Sequence, residues 1–236
     1  MTASRQGGRV LALAQLANDI EHCSRCPRLR RWCRRVGIEK RRAFADEEYW
    51  AAPVPGFGDQ RASVMLVGLA PGAHGANRTG RLFTGDRSGD FLFASLHRSG
   101  FANQAASTSR DDGLRLRGAF ISAAGRCAPP ANKPTPEELR RCRPHLVREI
   151  ELLRPKVLVC LGGLAWNAVL AALADLDCEV PSPRPKFGHG GEATVGPFTL
   201  LGAYHPSQQN TFTRRLTPPM LDAVFGRAAA LAAPRS

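Results

Sequence analysis

Apolar positions in this chain fall into short continuous runs that alternate with longer, spaced ones. RASVMLVGLAPG (61–72) is a β-branched run closed by glycine and proline; after a Gly-rich loop, SGDFLFASLHRSG (88–100) places Phe91, Leu92, Ser95 and Leu96 at helical spacing. GAFISAAGRC (118–127) is the next run, followed by TPEELRRCRPHLVREIELLRP (135–155), where Thr135 and Glu138 predict a capping box and Pro136 suits a first helical turn. KVLVCLGG (156–163) then leads into LAWNAVLAALADL, and FTLLGAYHPS (198–207) into LTPPMLDAVFGRAAALAA. Strands that read as unbroken apolar runs between helices predict a parallel sheet covered on both faces, with right-handed crossovers. The expectation is an α/β fold in a single domain spanning 1–236. Such sheets bind ligands beyond the carboxyl ends of their strands. The stretches 68–72, 126–130 and 162–163 and His205-Pro206-Ser207 all follow strand ends, so motifs far apart in sequence are predicted to share one rim.

Charge narrows the partner. The net charge of +13 over 236 residues comes mostly from arginine and points to a polyanion; a generally basic proteome is the plainer explanation. No apolar run approaches the ~20 residues of a membrane helix, and MTASRQGGRVLALAQLANDIEHC mixes polar with apolar residues and lacks a small-residue cleavage site. A soluble, cytoplasmic, monomeric protein is expected.

The seven cysteines are an odd number and argue against a disulfide framework. Cys160, inside KVLVCLGG, reads as a small buried hydrophobe. Cys23 and Cys26 form a C-x2-C with Cys33 close behind, and Cys127 and Cys142 form a wider pair. Two such pairs supply four thiolates, which zinc and a 4Fe–4S cluster both accept; unrelated free thiols are the bland alternative. The wide second pair fits zinc-ribbon spacing poorly. Nine arginines and lysines between Arg25 and Arg42 surround the first pair, with Glu39 the only acid among them; a solvated basic face is the bland account, and a phosphate-tracking surface braced by a metal the sharper one.

The loop GLAPGAHGANRTGRLFTGD (68–86) lacks the P-loop pattern and a clean dinucleotide fingerprint. It offers Phe83, a flat face for a flat ligand, and Asp86, a carboxylate able to orient water or offset positive charge. Taken alone, Asp86 reads more simply as a helix N-terminal carboxylate, and His205 as a hydrogen-bonding loop residue. The neighbours of His205 shift that balance: Pro206 stiffens the turn, Ser207 to Asn210 supply neutral donors and acceptors, and Arg214-Arg215 supply phosphate-seeking charge.

Together, the 68–86 loop, Cys23/Cys26, RCAPPANKP with Cys127, Cys142 and HPSQQN resemble the iron–sulfur uracil-DNA glycosylases, specifically the family 5 (B-type) branch. The likeness runs from about Cys23 to Arg215. The family 4 branch carries an acid and usually an asparagine where this chain has Leu69 and Ala123, and Leu82 stands where the family often has proline. The resemblance implies a three-layer α/β/α sandwich with a central four-stranded parallel sheet, on which the N-terminal helix and C-x2-C segment (about 1–50) pack through the cluster. It implies a structural 4Fe–4S cluster on Cys23, Cys26, Cys127 and Cys142, with zinc as the alternative. The implied reaction is excision of uracil, and of other deaminated bases such as hypoxanthine and xanthine, from DNA by hydrolysis of the N-glycosidic bond.

Carried onto this chain, Asp86 faces the sugar and orients water, His205 donates to the uracil oxygen that gains charge, and Asn132 helps hold base or water. Phe83 stacks on the base, within a pocket bounded by Gly68, Ala70, Gly72, His74, Ser207 and Asn210. Arg214 and Arg215 clamp phosphates, and Phe212 or Arg214 fills the gap left by the extruded base. A non-catalytic, metal-stapled nucleic-acid-binding module explains the charge and cysteines equally well, but not the convergence of Phe83, Asp86 and His205. The absence of any H-x-E excludes a zinc nucleobase deaminase.

Overall fold

The computed structural model describes residues 2–233, with side chains from residue 7 onward. In chain order the elements are α1 (Thr2–Glu21), α2 (Pro27–Glu39), β1 (Phe57–Gly58), β2 (Val64–Gly68), α3 (Ala76–Thr79), α4 (Arg87–Arg98) and β3 (Ala119–Ala123). They continue with α5 (Pro136–Leu153), β4 (Val157–Leu161), α6 (Gly163–Ala174), β5 (Glu192–Val195), β6 (Phe198–Ala203), α7 (Gln208–Phe212) and α8 (Pro218–Ala232). All four strand–helix units expected from the apolar pattern are present: β2 to α4, β3 to α5, β4 to α6 and β6 to α8.

The sheet corrects the expected strand count. It has six strands in the order β1-β3-β2-β4-β6-β5, not four. The four predicted strands form its parallel centre, with Leu66 opposite both Ile121 and Val159, and Val159 opposite Leu201. The two extra strands are antiparallel edges: β1 pairs Phe57 with Ile121, and β5 folds back on β6 with Val195 opposite Phe198. Both escape a reading based on apolar runs for a physical reason. β1 is two residues long and β5 has one buried residue in four, so neither carries the continuous apolar signature of a strand buried on both faces.

Successive side chains of a strand point to opposite faces, and here each central strand feeds two cores. Val64, Leu66, Ile121, Val157, Val159, Leu161 and Leu201 pack with Leu92, Leu96, Leu221 and Phe225 of α4 and α8. Met65, Val67, Phe120, Leu158, Cys160 and Leu200 pack on the other face with Leu13, Leu146, Ile150, Trp166 and Leu170 from α1, α5 and α6. Cys160 is fully buried there, as its apolar neighbours predict. The capping box also forms: Thr135 Oγ1 accepts from the amide of Glu138 at 3.2 Å, and Glu138 Oε2 accepts from the amide of Thr135 at 2.8 Å.

A third, small core stands apart, made of Leu29 and Cys33 from α2 with Cys127 and Ala128 from the segment after β3, and Cys26 against them. α2 buries Leu29, Cys33 and Val36, one stripe at helical spacing, and leaves Arg28, Arg31, Arg34 and Arg35 exposed. Among the described residues no helix is long and apolar enough to cross a membrane.

Candidate active site

The rim formed by the carboxyl ends of β2, β3, β4 and β6 gathers the motifs that sequence separates. Backbone bonds zip the loops after β2 and β3 together, the amides of Ala124 and Gly125 donating to the carbonyls of Gly68 and Leu69 at 2.9 and 2.8 Å. Gly162, just past β4, donates to the carbonyl of Ala203 at 2.8 Å, and a Cβ on it would stand 3.5 Å from the Cβ of His205. Its φ of +99° is open to glycine and costly for other residues.

Asp86 is the N-cap of α4, with extended backbone and Oδ1 accepting from the amide of Gly89 at 2.9 Å. The plainer reading of this aspartate is therefore realised, but it uses only one carboxylate oxygen. Oδ2 lies against the glycine loop so closely that a Cβ on Gly75 would fall 2.0 Å from it, and one on Gly72 3.1 Å. Burial raises the Asp86 carboxyl above the ordinary carboxylate range; the amides of Gly89 and Ser88 pull the other way, and Asp90 adds repulsion. The result is a half-buried acid held rigidly by glycine backbone.

Phe83 sits three residues earlier with a left-handed backbone, φ 54°. Its ring packs on Gly68, where a Cβ would come within 2.7 Å of Cζ. The ring centre is 5.9 Å from that of His205, at an interplanar angle of 34°. Burial alone pushes His205 down to about 4, so its imidazole is neutral near pH 7 and can donate one N–H without carrying charge. Asn210 Nδ2 donates to the His205 carbonyl at 2.8 Å, which fixes the turn after β6.

The other predicted residues are distributed unevenly. Ser207 opens α7 without capping it through its side chain. Ala70 abuts the loop after β3 near Gly125. His74 turns toward the N-terminal segment, its Nδ1 paired with Tyr49 Oη at 3.0 Å, and its pKa is lowered by burial and then by Arg41 and Arg78. Asn132 stands exposed on the loop after β3 with φ 57° and makes no side-chain hydrogen bond to Asp86, Phe83 or His205. Phe212 is 65% exposed, with the Arg87 guanidinium 5.4 Å above its ring. Arg214 and Arg215 are exposed, Arg215 resting over Tyr204 at 4.6 Å.

Two functional supports were missed by reading arginine as surface charge. Arg78 is buried, donates to the carbonyls of His74 and Gly85 at 2.9 Å each, pairs with Glu47 and lies over Phe44. Arg81 donates to Thr84 Oγ1 at 3.0 Å, Ser107 Oγ at 2.8 Å and Asp112 Oδ2 at 2.6 Å. They cross-brace the loop on both sides of Phe83. Their only sequence signal is their place inside a loop of small residues.

Cys23, Cys26, Cys127 and Cys142 line a single cavity. They come from the end of α1, the start of α2, the segment after β3 and helix α5. Among the described residues no three His, Cys, Asp or Glu side chains gather tightly enough to hold one ion. Burial pushes Cys142 up to about 11, with Arg126 working against it, and Cys26 is raised by burial and then by Glu138 and Cys23. Contact with the Cys33 thiol raises Cys127 most. Thiols so placed ionise when a cationic centre draws them out. Arg126, which also lines the cavity, is 1% exposed with Nε and Nη1 unpartnered. Such orphaned donors cost about 1–3 kcal/mol each. The residues fit a tetrathiolate cluster whose sulfurs are acceptors.

Fold and rim together define a mixed α/β protein with a rigid carboxylate, an aromatic floor and a neutral imidazole at the ligand-binding edge of its sheet. Residues 55–228 match the uracil DNA glycosylase superfamily. The type-5 uracil-DNA glycosylase of Mycobacterium bovis is 50% identical over 224 residues, covering 94% of this chain and 82% of its own length. That of Thermus thermophilus is 49% identical over 212 residues, 89% of this chain and 94% of its own. The type-4 enzyme of Archaeoglobus fulgidus is 39% identical over 155 residues, 65% of this chain and 70% of its own. The chain belongs to the uracil-DNA glycosylase superfamily, within its type-5 group.

Proposed function

We infer that this protein is a monofunctional uracil-DNA glycosylase of base-excision repair, which hydrolyses the N-glycosidic bond of uracil in DNA and leaves an abasic site. The observation that carries this is membership of the family over most of the chain, and the rim is consistent with the chemistry. An enzyme that acts on a base must first extrude it, at a cost of a few kcal/mol that a mismatched U·G pair reduces. Phe83 on Gly68 is the stacking surface for the extruded ring. Bond cleavage leaves positive charge on the sugar and negative charge on the base, so the two ends need opposite electrostatic help. Asp86 Oδ2 faces the sugar and orients the attacking water, whose hydroxyl goes to C1′ and whose proton is released to the base or solvent. His205, neutral, donates its N–H to the uracil oxygen that gains charge.

Asn132 and Asn210 hold base or water; Asn210 has already spent its Nδ2 on the His205 turn, which leaves Oδ1 for the ligand. Gly68, Ala70, Gly72 and Ser207 bound the pocket, and His74, paired with Tyr49, ties the loop to the N-terminal segment. Arg214 and Arg215 grip phosphates, and Phe212, the exposed apolar ring beside them, enters the gap left by the base. Leu69 and Ala123 place no hydrogen-bonding side chain where the type-4 branch has one. A site without such groups rejects analogues weakly, which supports excision of hypoxanthine and xanthine as well.

Cys23, Cys26, Cys127 and Cys142 hold a 4Fe–4S cluster in preference to zinc; when bound it cross-links the segment of about 1–50 to the rest of a single domain. A cytoplasmic monomer acting on chromosomal DNA completes the reading.

The test is a labelled duplex with one U·G pair, treated with mild alkali after incubation, beside the same duplex with hypoxanthine·T. Enzyme-dependent scission of the first establishes the activity, and scission of the second the wider range. Tight binding without abasic sites on either duplex makes the protein a binding module.

A further inference from the structure

Among the described residues Arg126 is the most deeply buried charged side chain, 1% exposed, and so out of reach of DNA phosphates. Its Nη2 donates to Glu149 Oε2 at 2.6 Å, and the same oxygen accepts from Ser122. Neutralising Glu149 needs one cationic donor. The guanidinium brings five N–H groups, and those on Nε and Nη1 meet nothing in the protein. Arg126 stands directly before Cys127 and shares the thiol-lined cavity with Cys142. A buried arginine with unused donors beside four thiols is built for acceptors that the polypeptide does not itself supply.

We propose that Arg126 is the internal counter-ion of the metal cluster, donating through Nε and Nη1 to its sulfur atoms and thereby setting its reduction potential, with Glu149 as the charge that moderates it. This rests on the 4Fe–4S reading given above. Cluster potentials respond to net charge, burial and hydrogen bonds to sulfur. A fixed cation with N–H donors stabilises whichever state carries more negative charge, so removing it lowers the potential of either accessible couple. Removing the Glu149 charge while keeping Arg126 does the opposite. The opposed signs separate this role from simple structural support, because damage to packing has no reason to move the potential in opposite directions at two ends of one ion pair.

The experiment is film voltammetry on the intact protein and on Arg126→Lys, Arg126→Met and Glu149→Gln, each first assayed for iron, zinc and the broad visible absorbance of a cluster. The expected result is iron-loaded protein throughout, with a lower midpoint potential in Arg126→Met, a smaller drop in Arg126→Lys, which keeps the cation and loses only the guanidinium fork, and a higher potential in Glu149→Gln. Equal potentials in cluster-loaded variants overturn the inference and leave the cofactor standing, as they would if a buried water between Arg126 and the nearby His145 Nε2 took up the free donors. Should both Arg126 variants fail to load, an unshifted Glu149→Gln overturns it on its own. Zinc, or no metal, in the wild-type protein overturns cofactor and inference together.

Discussion

Asp86 Oδ1 is committed to the amide of Gly89 at 2.9 Å while Oδ2 lies against the glycine loop, so substitution at this one residue tests two roles. Asp86→Asn keeps the cap and removes the charge. It is expected to bind uracil-containing DNA within a few-fold of wild type while turnover drops on the order of 100-fold or more, measured under single-turnover conditions; near-normal turnover would remove the carboxylate from the mechanism. Asp86→Ala should lose about 1 kcal/mol of stability as well, because the cap goes with the charge. Burial raises this carboxyl, so the acid limb of the rate profile should lie above the ordinary carboxylate range. His205 titrates the other way. Its folded pKa of about 4 is below the unfolded value, so between pH 6.5 and about 4 the unfolded chain binds the extra proton. Stability conferred by neutral His205 is complete above that window and falls as pH drops through it, by up to about 3 kcal/mol. Denaturant titrations of wild type and His205→Gln should diverge there, and a constant difference between the two across the window would show that His205 is not depressed in the native state.

At the scale of elements, the proposed mechanism depends on how the 68–86 loop is packed as well as on which side chains it carries. A Cβ on Gly75 would stand 2.0 Å from Asp86 Oδ2, so Gly75→Ala must move one of the two. Turnover should fall by at least about 10-fold with little change in the salt dependence of binding, since misplacement of a reacting group by 1 Å costs heavily. Wild-type rates from Gly75→Ala would mean that the carboxylate needs no such confinement. Leu82, the departure from the family's usual proline, is 1% exposed and packs in the main core, which anchors the loop just before Phe83 by burial. Arg78 and Arg81 provide the rest of the bracing.

For the whole molecule, Arg78, Arg81 and Arg126 are inside, but each has an acidic partner that cancels it, so the excess of +13 is carried by the other residues. Exposed Arg214 and Arg215 remain available. Charge reversal at either should weaken binding to all sequences alike and reduce the salt slope by about one; an unchanged slope would place the clamp elsewhere, with the outward face of α2 the next candidate. On the proposed 4Fe–4S reading, Cys142→Ser should strip the cluster and lower the midpoint of chemical denaturation. A fully folded, inactive Cys142→Ser would argue that the cluster is more than a structural link.

The alternation of apolar runs was enough to predict the four parallel strands and their helices, because a strand buried on both faces has few compositions open to it. It also brought Phe83, Asp86 and His205 to one rim, since strand ends in such a sheet lie side by side. The edge strands stayed hidden because their stability comes from a neighbour's backbone and leaves little trace in their own residues. Tertiary structure alone decided that Asp86 both caps a helix and presents a free oxygen, that Asn210 braces the His205 turn, and that three arginines are interior. Sequence records which groups exist; burial and the competition for hydrogen-bond partners, settled only when distant segments meet, determine what each is free to do.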